Sequence, residues 1–273
     1  MVSSLSIIFI IITLLITTLF PIIFLLILLK GHKGVFSVWI AGALGFIVTQ
    51  VIIRIPLLQV LGTMPFVQSF ARDQPVFYLL ILALTAGLFE TVGRLVVLRF
   101  VLVKRLSFMT GLAGGAGHGG IESIVLLGMT YVNNLIIAIM INRGMLGSII
   151  PDSNQMSALI QTMTGTEPYL FFLAGVERIF TMIFHIAMYV LLAWFVTRKH
   201  SAAGFFLVAG IHGATDFIAP LMQINGASYL AIEGFLLAVA ILSIILVLYL
   251  RPRFGENQQI PPDPAEQAVK EGY

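Results

Sequence analysis

The sequence contains no cysteine and few charged side chains, which make up only 10% of its 273 residues. The absence of cysteine excludes disulfide bonds and thiolate chemistry. Hydrophobic residues account for 59% of the chain, and the mean hydropathy is +1.04. A soluble domain of this length could not bury so much apolar surface, so the composition predicts an integral membrane protein. The formal charge of +3 is small, and we expect the lipid bilayer, and no nucleic acid, among its partners.

The N-terminus lacks basic residues before its first apolar run, which extends to Leu29. Secretory signal peptides carry a positive segment at that place, so we predict a retained spanning helix. A bilayer core requires about 20 apolar residues per helix, and seven segments are suitable. We therefore predict an all-α fold, a polytopic membrane protein with a single transmembrane domain over residues 1–250. Its seven predicted helices cover residues 5–29, 35–53, 76–98, 108–141, 168–197, 203–220 and 228–250.

Two segments differ in composition from a spanning helix. Residues 54–75 are apolar but contain Pro56, Gly62 and Pro65, which predict an interfacial or re-entrant stretch. Residues 251–273 are polar and rich in proline, and we expect them to form a disordered cytoplasmic tail.

Basic residues are distributed unevenly between the two ends of the predicted helices. Arg54, Arg72 and Arg143 lie at one end. Positive residues favour cytoplasmic loops, so we predict an outer N-terminus, a cytoplasmic C-terminus and a multi-pass protein of the plasma membrane. The opposite, cytoplasmic end carries Lys30, Lys33, Arg99, Lys104, Arg105, Arg198, Lys199, Arg251, Arg253 and Lys270.

Ionisable residues recur inside four predicted helices between residues 76 and 220. Charged groups in a spanning helix cost at least about 2.5–3.5 kcal/mol each on insertion scales, so they are candidates for function. At about 1.5 Å per residue, six of them lie in one layer, roughly 12–21 Å from the predicted cytoplasmic ends. Glu177 and Arg178 lie nearer the outer end and fit this layer less well. The layer contains Glu90, His118, Glu122, His185, His212 and Asp216, and Arg94 shares a helix face with Glu90.

Glycines surround two of these residues in the segment GLAGGAGHGGIES. Gly111, Gly115 and Gly119 are spaced four residues apart, a pattern that allows two helix backbones to approach closely. We therefore expect this helix to pack tightly against its neighbours and to direct His118 and Glu122 into a shared interior.

Each polar residue alone is consistent with packing, and the Glu90 and Arg94 pair is consistent with a neutralising ion pair. The coincidence of three histidines and three carboxylates at one depth favours a functional site. The zincin motif His-Glu-x-x-His is absent. A metal such as zinc would therefore require His118, His185 and His212 from three helices, which zinc coordination permits. The alternative is acid–base chemistry, in which a carboxylate activates water and a histidine stabilises the oxyanion.

The order of these motifs resembles the YhfC family of membrane peptidases. That family is grouped with the type II CAAX prenyl endopeptidases, the Abi proteins and the PrsW proteins. Phe89 and Gly114 stand where CAAX enzymes have the first glutamate and a phenylalanine of their motifs. The resemblance covers roughly residues 85–220 and rests on Glu90-x-x-x-Arg94, Gly117-His118-Gly119-x-x-Glu122, Glu177-Arg178 with His185, and His212-x-x-x-Asp216.

This resemblance implies an intramembrane endopeptidase that hydrolyses peptide bonds near the cytoplasmic leaflet. Its substrate would be a peptide or a membrane protein, and its cofactor, if any, a divalent metal such as zinc. Glu90 or Glu122 would act as the base, and Arg94 would hold the glutamate. His185 and His212 would stabilise the oxyanion or bind the metal, while His118 and Asp216 would complete the site. A proton- or ion-coupled transporter and a non-catalytic scaffold of the same superfamily are the alternatives.

Overall fold

A computed structural model of the chain describes residues 1–148, 150 and 152–261. Within these residues there is no strand, and seven helices are long and apolar enough to cross a membrane. The predicted all-α fold and its seven spanning helices are therefore confirmed. We number them span 1 to span 7 in chain order: Ser4–Gly31, Val35–Gly62, Pro75–Val101, Phe108–Asn142, Pro168–Thr197, Ser201–Ile224 and Tyr229–Phe254.

Span 2 is longer than predicted because its helix continues past Pro56. A π-helical segment, Ile47–Arg54, leads into the α-helix Ile55–Gly62, and Pro56 lies in its first turn, where proline is tolerated. The non-spanning stretch therefore begins after Gly62 rather than at residue 54. It consists of the short helix Pro65–Asp73, which also begins with proline.

The other spans are α-helical with local departures. π-Helical turns follow the α-helices Pro75–Val96 and Phe108–Glu122, and such turns are frequent at functional sites. Span 7 ends in a 3₁₀ turn, and the short helix Ser153–Gly165 lies between spans 4 and 5. The remaining elements are Val35–Phe46, Val97–Val101, Val103–Arg105, Ser123–Gly128, Met129–Asn142, Leu146–Ser148, Tyr229–Leu250 and Arg251–Phe254.

Span 4 packs so closely on spans 2 and 5 that side chains do not fit between the backbones. A Cβ atom at Gly117 would collide with the carbonyl oxygen of Trp39 in span 2. A Cβ atom at Gly115 would lie 2.6 Å from the Cα atom of Ile186 in span 5. These contacts confirm the predicted close approach and fix the depth of His118 relative to both neighbouring helices.

Spans 1, 3, 5 and 7 end at one face of the bundle, which we call the tail face. Residues 255–261 cross this face, where the carbonyl oxygens of Asn257 and Gln258 accept the N–H groups of Phe108 and Met109 at 2.8 and 3.1 Å. Phe254 is buried against Phe108. The rest of the predicted disordered tail, residues 262–273, lies outside the described residues. We call the opposite face, at the connection between spans 6 and 7, the far face.

Candidate functional site

The structure brings all seven candidate residues together midway along the bundle, at the level expected from helical spacing. Spans 3, 4, 5 and 6 each contribute at least one of them. All are buried except Asp216, whose side chain is 36% exposed. The cluster consists of Glu90, Arg94, His118, Glu122, His185, His212 and Asp216.

The carboxylate of Glu90 is the centre of this cluster. Its Oε2 atom lies 2.8 Å from an Nη atom of Arg94 and 3.0 Å from Nε2 of His118. Nε2 of His212 and Nδ1 of His185 follow at 3.4 and 3.6 Å. The hydrogen bonds with Arg94 and His118 hold this oxygen in one position, so Glu90 is a firmly fixed member of the site.

Arg94 contacts all three histidines of the cluster. Its guanidinium group is fully buried and lies 2.7 Å from Nδ1 of His185, 3.2 Å from Nδ1 of His212 and 3.2 Å from Nε2 of His118. Arginine only donates hydrogen bonds, so Nδ1 of His212 accepts, and we assign this ring as neutral with the proton on Nε2. Nε2 of His185 lies 2.6 Å from Oε2 of Glu122, and Nε2 of His212 lies 3.3 Å from Oδ2 of Asp216.

Glu122 links the cluster to a second arginine. Its Oε1 atom accepts a hydrogen bond from Arg178 at 3.4 Å, and Arg178 also donates to Glu177 at 2.7 Å. The count along the helix placed Glu177 and Arg178 nearer the outer end, where they fit the layer of polar residues less well. The long side chain of Arg178 bridges that difference, since arginine extends well beyond its own backbone level.

Span 2 contributes residues that the sequence analysis did not select. The side-chain amide of Gln50 donates to Oε1 of Glu90 at 3.0 Å, and Arg54 in turn donates to Gln50 at 3.2 Å. The ring of Phe46 packs edge-on against His118, with centroids 5.2 Å apart. The sequence did indicate Gln50 as a candidate site residue, because it is a polar residue inside a predicted spanning helix. Arg54 was assigned to an interfacial or re-entrant stretch because the helix was expected to end at residue 53.

Part of the cluster fits a metal ion by donor type and spacing. Glu90, His118, Glu122 and His185 each offer one ligand atom, and these atoms lie within 4.8 Å of one another. Histidine nitrogen and carboxylate oxygen are common zinc ligands. His212, the third histidine candidate, is not a member of this group, although it contacts Glu90. A cation bound here would share the site with the guanidinium group of Arg94.

The charges around the cluster also favour a cation. With neutral histidines, four carboxylates face three guanidinium groups, which leaves one negative charge at the cluster. Uncompensated buried charge is costly, so a bound cation would offset it. The carboxylates are Glu90, Glu122, Glu177 and Asp216, and the guanidinium groups are those of Arg54, Arg94 and Arg178.

A cavity of about 370 Å³ lies beside the cluster, between spans 5, 6 and 7. Glu90, Glu122, His185 and His212 form its inner end. This volume lies within the usual range for small-ligand sites, about 300–1,000 Å³. The site is thus open to a reactant on one side and packed against helices on the others.

Comparison with known proteins gives one family and one relative. A model described as YhfC intramembrane metalloprotease matches residues 16–236. The uncharacterized membrane protein YhfC of Bacillus subtilis (strain 168) is 30% identical over 132 residues, which are 47% of this chain and 51% of the relative. The similarity therefore spans about half the length of that protein. No solved structure matches the chain.

Proposed function

The chain belongs to the YhfC intramembrane metalloprotease family, and on this premise we propose that it is a metal-dependent peptidase acting inside the membrane. The observation that carries the proposal is the buried group of Glu90, His118, Glu122 and His185 at the inner end of a cavity. Membership of the wider CAAX superfamily is part of the same proposal, because the order of the motifs supports it.

In this proposal a divalent ion, of which zinc suits the donors best, would be held by Glu90, His118 and His185, which leaves one coordination position open, as in catalytic zinc sites, and leaves Glu122 beside the ion. When bound, the ion supplies a Lewis acid for the carbonyl of the cleaved bond. Arg94 and Gln50 hold the carboxylate of Glu90 in place through the hydrogen bonds described above. They act as positioning residues.

Two residues on the cavity wall are suited to acid–base roles. Oε2 of Glu122 has fewer neighbours than the carboxylate of Glu90, so Glu122 is the better base for a water molecule in the cavity. The Nε2–H of His212 faces the cavity, because Arg94 occupies the other side of the ring. It faces Asp216 at 3.3 Å and can turn from that carboxylate to donate its single hydrogen bond to a developing oxyanion.

The transporter alternative receives less support. Every residue of span 5 from Phe184 to Ala193 is buried, so the half of the bundle toward the tail face is closed along this helix. A transport path requires water access from both faces in turn. The scaffold alternative provides no reason for a buried group with the donor types and spacing of a metal site.

The test is cleavage of membrane-spanning reporter peptides by the purified protein in liposomes containing zinc, followed by mass spectrometry. We expect a defined cleavage that 1,10-phenanthroline abolishes and added zinc restores. Glu122→Gln should reduce cleavage at least 100-fold, since loss of a general base costs about 10²–10⁴-fold. Glu167→Gln, a change of the same kind at an exposed position, should leave it unchanged. Equal cleavage by wild type and Glu122→Gln would contradict the proposed role.

A further inference from the structure

The cavity extends from the cluster in one direction. On span 6 its lining runs from His212 to Gln223, next to the last residue of that helix. At 1.5 Å per residue, this is about 16 Å along the helix axis. On span 5 the lining runs from His185 back to Glu177, and on span 7 it reaches Ile232 near the start of the helix. All three helices lead from the site toward the far face.

The opposite half of the bundle is closed. On span 4 every residue from Phe108 to Gly120 is buried apart from Leu112, which is partly buried. The buried part of span 5, residues 184–193, lies against these residues, as the contacts of Gly111 and Gly115 show. Between the cluster and the tail face, the described residues of these two helices therefore form solid packing.

The basic residues identify the two faces. Nine lysine and arginine residues lie at the tail-face ends of the spans, and Lys270 lies outside the described residues. Only two of the basic residues assigned to the outer side by sequence, Arg72 and Arg143, lie at the far face. Arg54 does not count there, because it lies within span 2 and donates to the carbonyl oxygen of Leu82. Positive residues accumulate on the cytoplasmic side, so the tail face is cytoplasmic and the far face extracytoplasmic.

We infer that the substrate reaches the site from the extracytoplasmic side, as an extended peptide segment that enters between spans 5, 6 and 7. This inference rests on the proposed peptidase function and specifies its substrates as peptides or membrane-protein segments presented on that side. It differs from the sequence-based expectation of cleavage near the cytoplasmic leaflet, because the cavity lined by Glu90, Glu122, His185 and His212 leads the other way.

The walls of the cavity suit an unfolded peptide. The lining is mixed: Phe180, Ile232 and Leu236 are apolar, whereas Thr181 and Thr215 carry hydroxyl groups. In span 6, Pro220 has no N–H to donate to the carbonyl oxygen of Asp216, four residues earlier. Because the two threonine hydroxyls donate to the carbonyl oxygens of Glu177 and Ile211, their oxygens and the carbonyl of Asp216 can accept N–H groups of a peptide that has left its own helix.

Absence of cysteine allows a direct test by single-cysteine labelling. Thr215→Cys places a thiol on the cavity wall, and Ala214→Cys places one at the same depth on the exposed, outer side of span 6. Asn225→Cys and Lys104→Cys mark the far face and the tail face at exposed positions. Each variant is treated with a charged, membrane-impermeant methanethiosulfonate reagent in intact spheroplasts and in inverted vesicles, and the modified fraction is measured by mass spectrometry.

In spheroplasts we expect modification of Thr215→Cys and Asn225→Cys, with at least tenfold slower reaction of Ala214→Cys and Lys104→Cys. In inverted vesicles Lys104→Cys alone should react rapidly. Reaction of Thr215→Cys from the cytoplasmic side, or no reaction from either side while Asn225→Cys reacts, would overturn the inference. Labelling does not require catalysis, so a protein that cleaves nothing can still show this access path, and an active peptidase can still lack it.

Discussion

Gly119 is the position where the packing of span 4 controls the geometry of the site most directly. A Cβ atom at this residue would lie 2.9 Å from Cβ and 3.3 Å from Cδ2 of His185. Carbon atoms pack at about 3.5–4.0 Å, so Gly119→Ala requires the histidine to move by about 0.6–1 Å. That movement is directed at the residue whose Nε2 atom lies 2.6 Å from Glu122.

The expected effect is a large loss of function with a small loss of stability. Overpacking costs about 1–3 kcal/mol, and the higher helix propensity of alanine returns roughly 1 kcal/mol. A displacement of about 1 Å in a catalytic group can cost about 100-fold in rate. We therefore expect kcat/KM for the reporter peptide to fall 10- to 100-fold, whereas the Tm falls by only a few degrees.

The matched control is Gly210→Ala in span 6, where no atom lies within 4 Å of the added Cβ. This variant should retain the activity and the metal affinity of the wild type. Both proteins are compared by cleavage kinetics, by zinc competition against a chelator, and by thermal unfolding in detergent. If Gly119→Ala cleaves the peptide and binds zinc as the wild type does, the proposed position of His185 in the site is wrong.

Three further changes separate the roles of the surrounding residues. Phe254→Ala should destabilise the fold by about 3 kcal/mol without changing zinc content, whereas Phe206→Ala, at a 73% exposed position, should have little effect on the Tm. Gln50→Leu removes a hydrogen bond to the carboxylate of Glu90, worth about 1.5–3 kcal/mol. This change should weaken zinc binding at least tenfold in the chelator assay. Unchanged affinity would contradict the role of Gln50 in holding Glu90. Arg94→Met removes a positive charge beside the ligand atoms and leaves the charge of Glu90 uncompensated when no metal is bound. Zinc should therefore raise the Tm of this variant more than that of the wild type. An equal rise in both proteins would contradict the claim that the cation and Arg94 share the site.

The spanning helices and the level of the site follow from the sequence because hydrophobic length and helical periodicity are local properties. The spacing of four residues in Glu90 and Arg94, and in His212 and Asp216, places each pair on one face whatever the neighbouring helices do. The glycine row of span 4 likewise indicates close packing without naming the partner helix. Fold class and site depth are therefore predictable from one sequence.

The connections within the site depend on side-chain reach and helix rotation, which sequence spacing does not define. Arg178 joins Glu122 because its side chain crosses several ångströms of depth. Gln50 reaches Glu90 from span 2, whose helix continues through Pro56 although the sequence predicted its end at residue 53. The direction of the cavity depends on how spans 5, 6 and 7 diverge, and such tertiary geometry has no local signature.

The metal content of the purified protein tests most directly whether the cluster is a metal site. Wild type, the double variant His118→Ala/His185→Ala and the control His200→Ala are purified with zinc present, and bound metal per chain is measured by mass spectrometry. We expect about one metal ion per chain in wild type and in His200→Ala, and less than about one tenth of that in the double variant. No stoichiometric metal in the wild type, or equal metal in the folded double variant, would contradict a metal-dependent site built on this cluster.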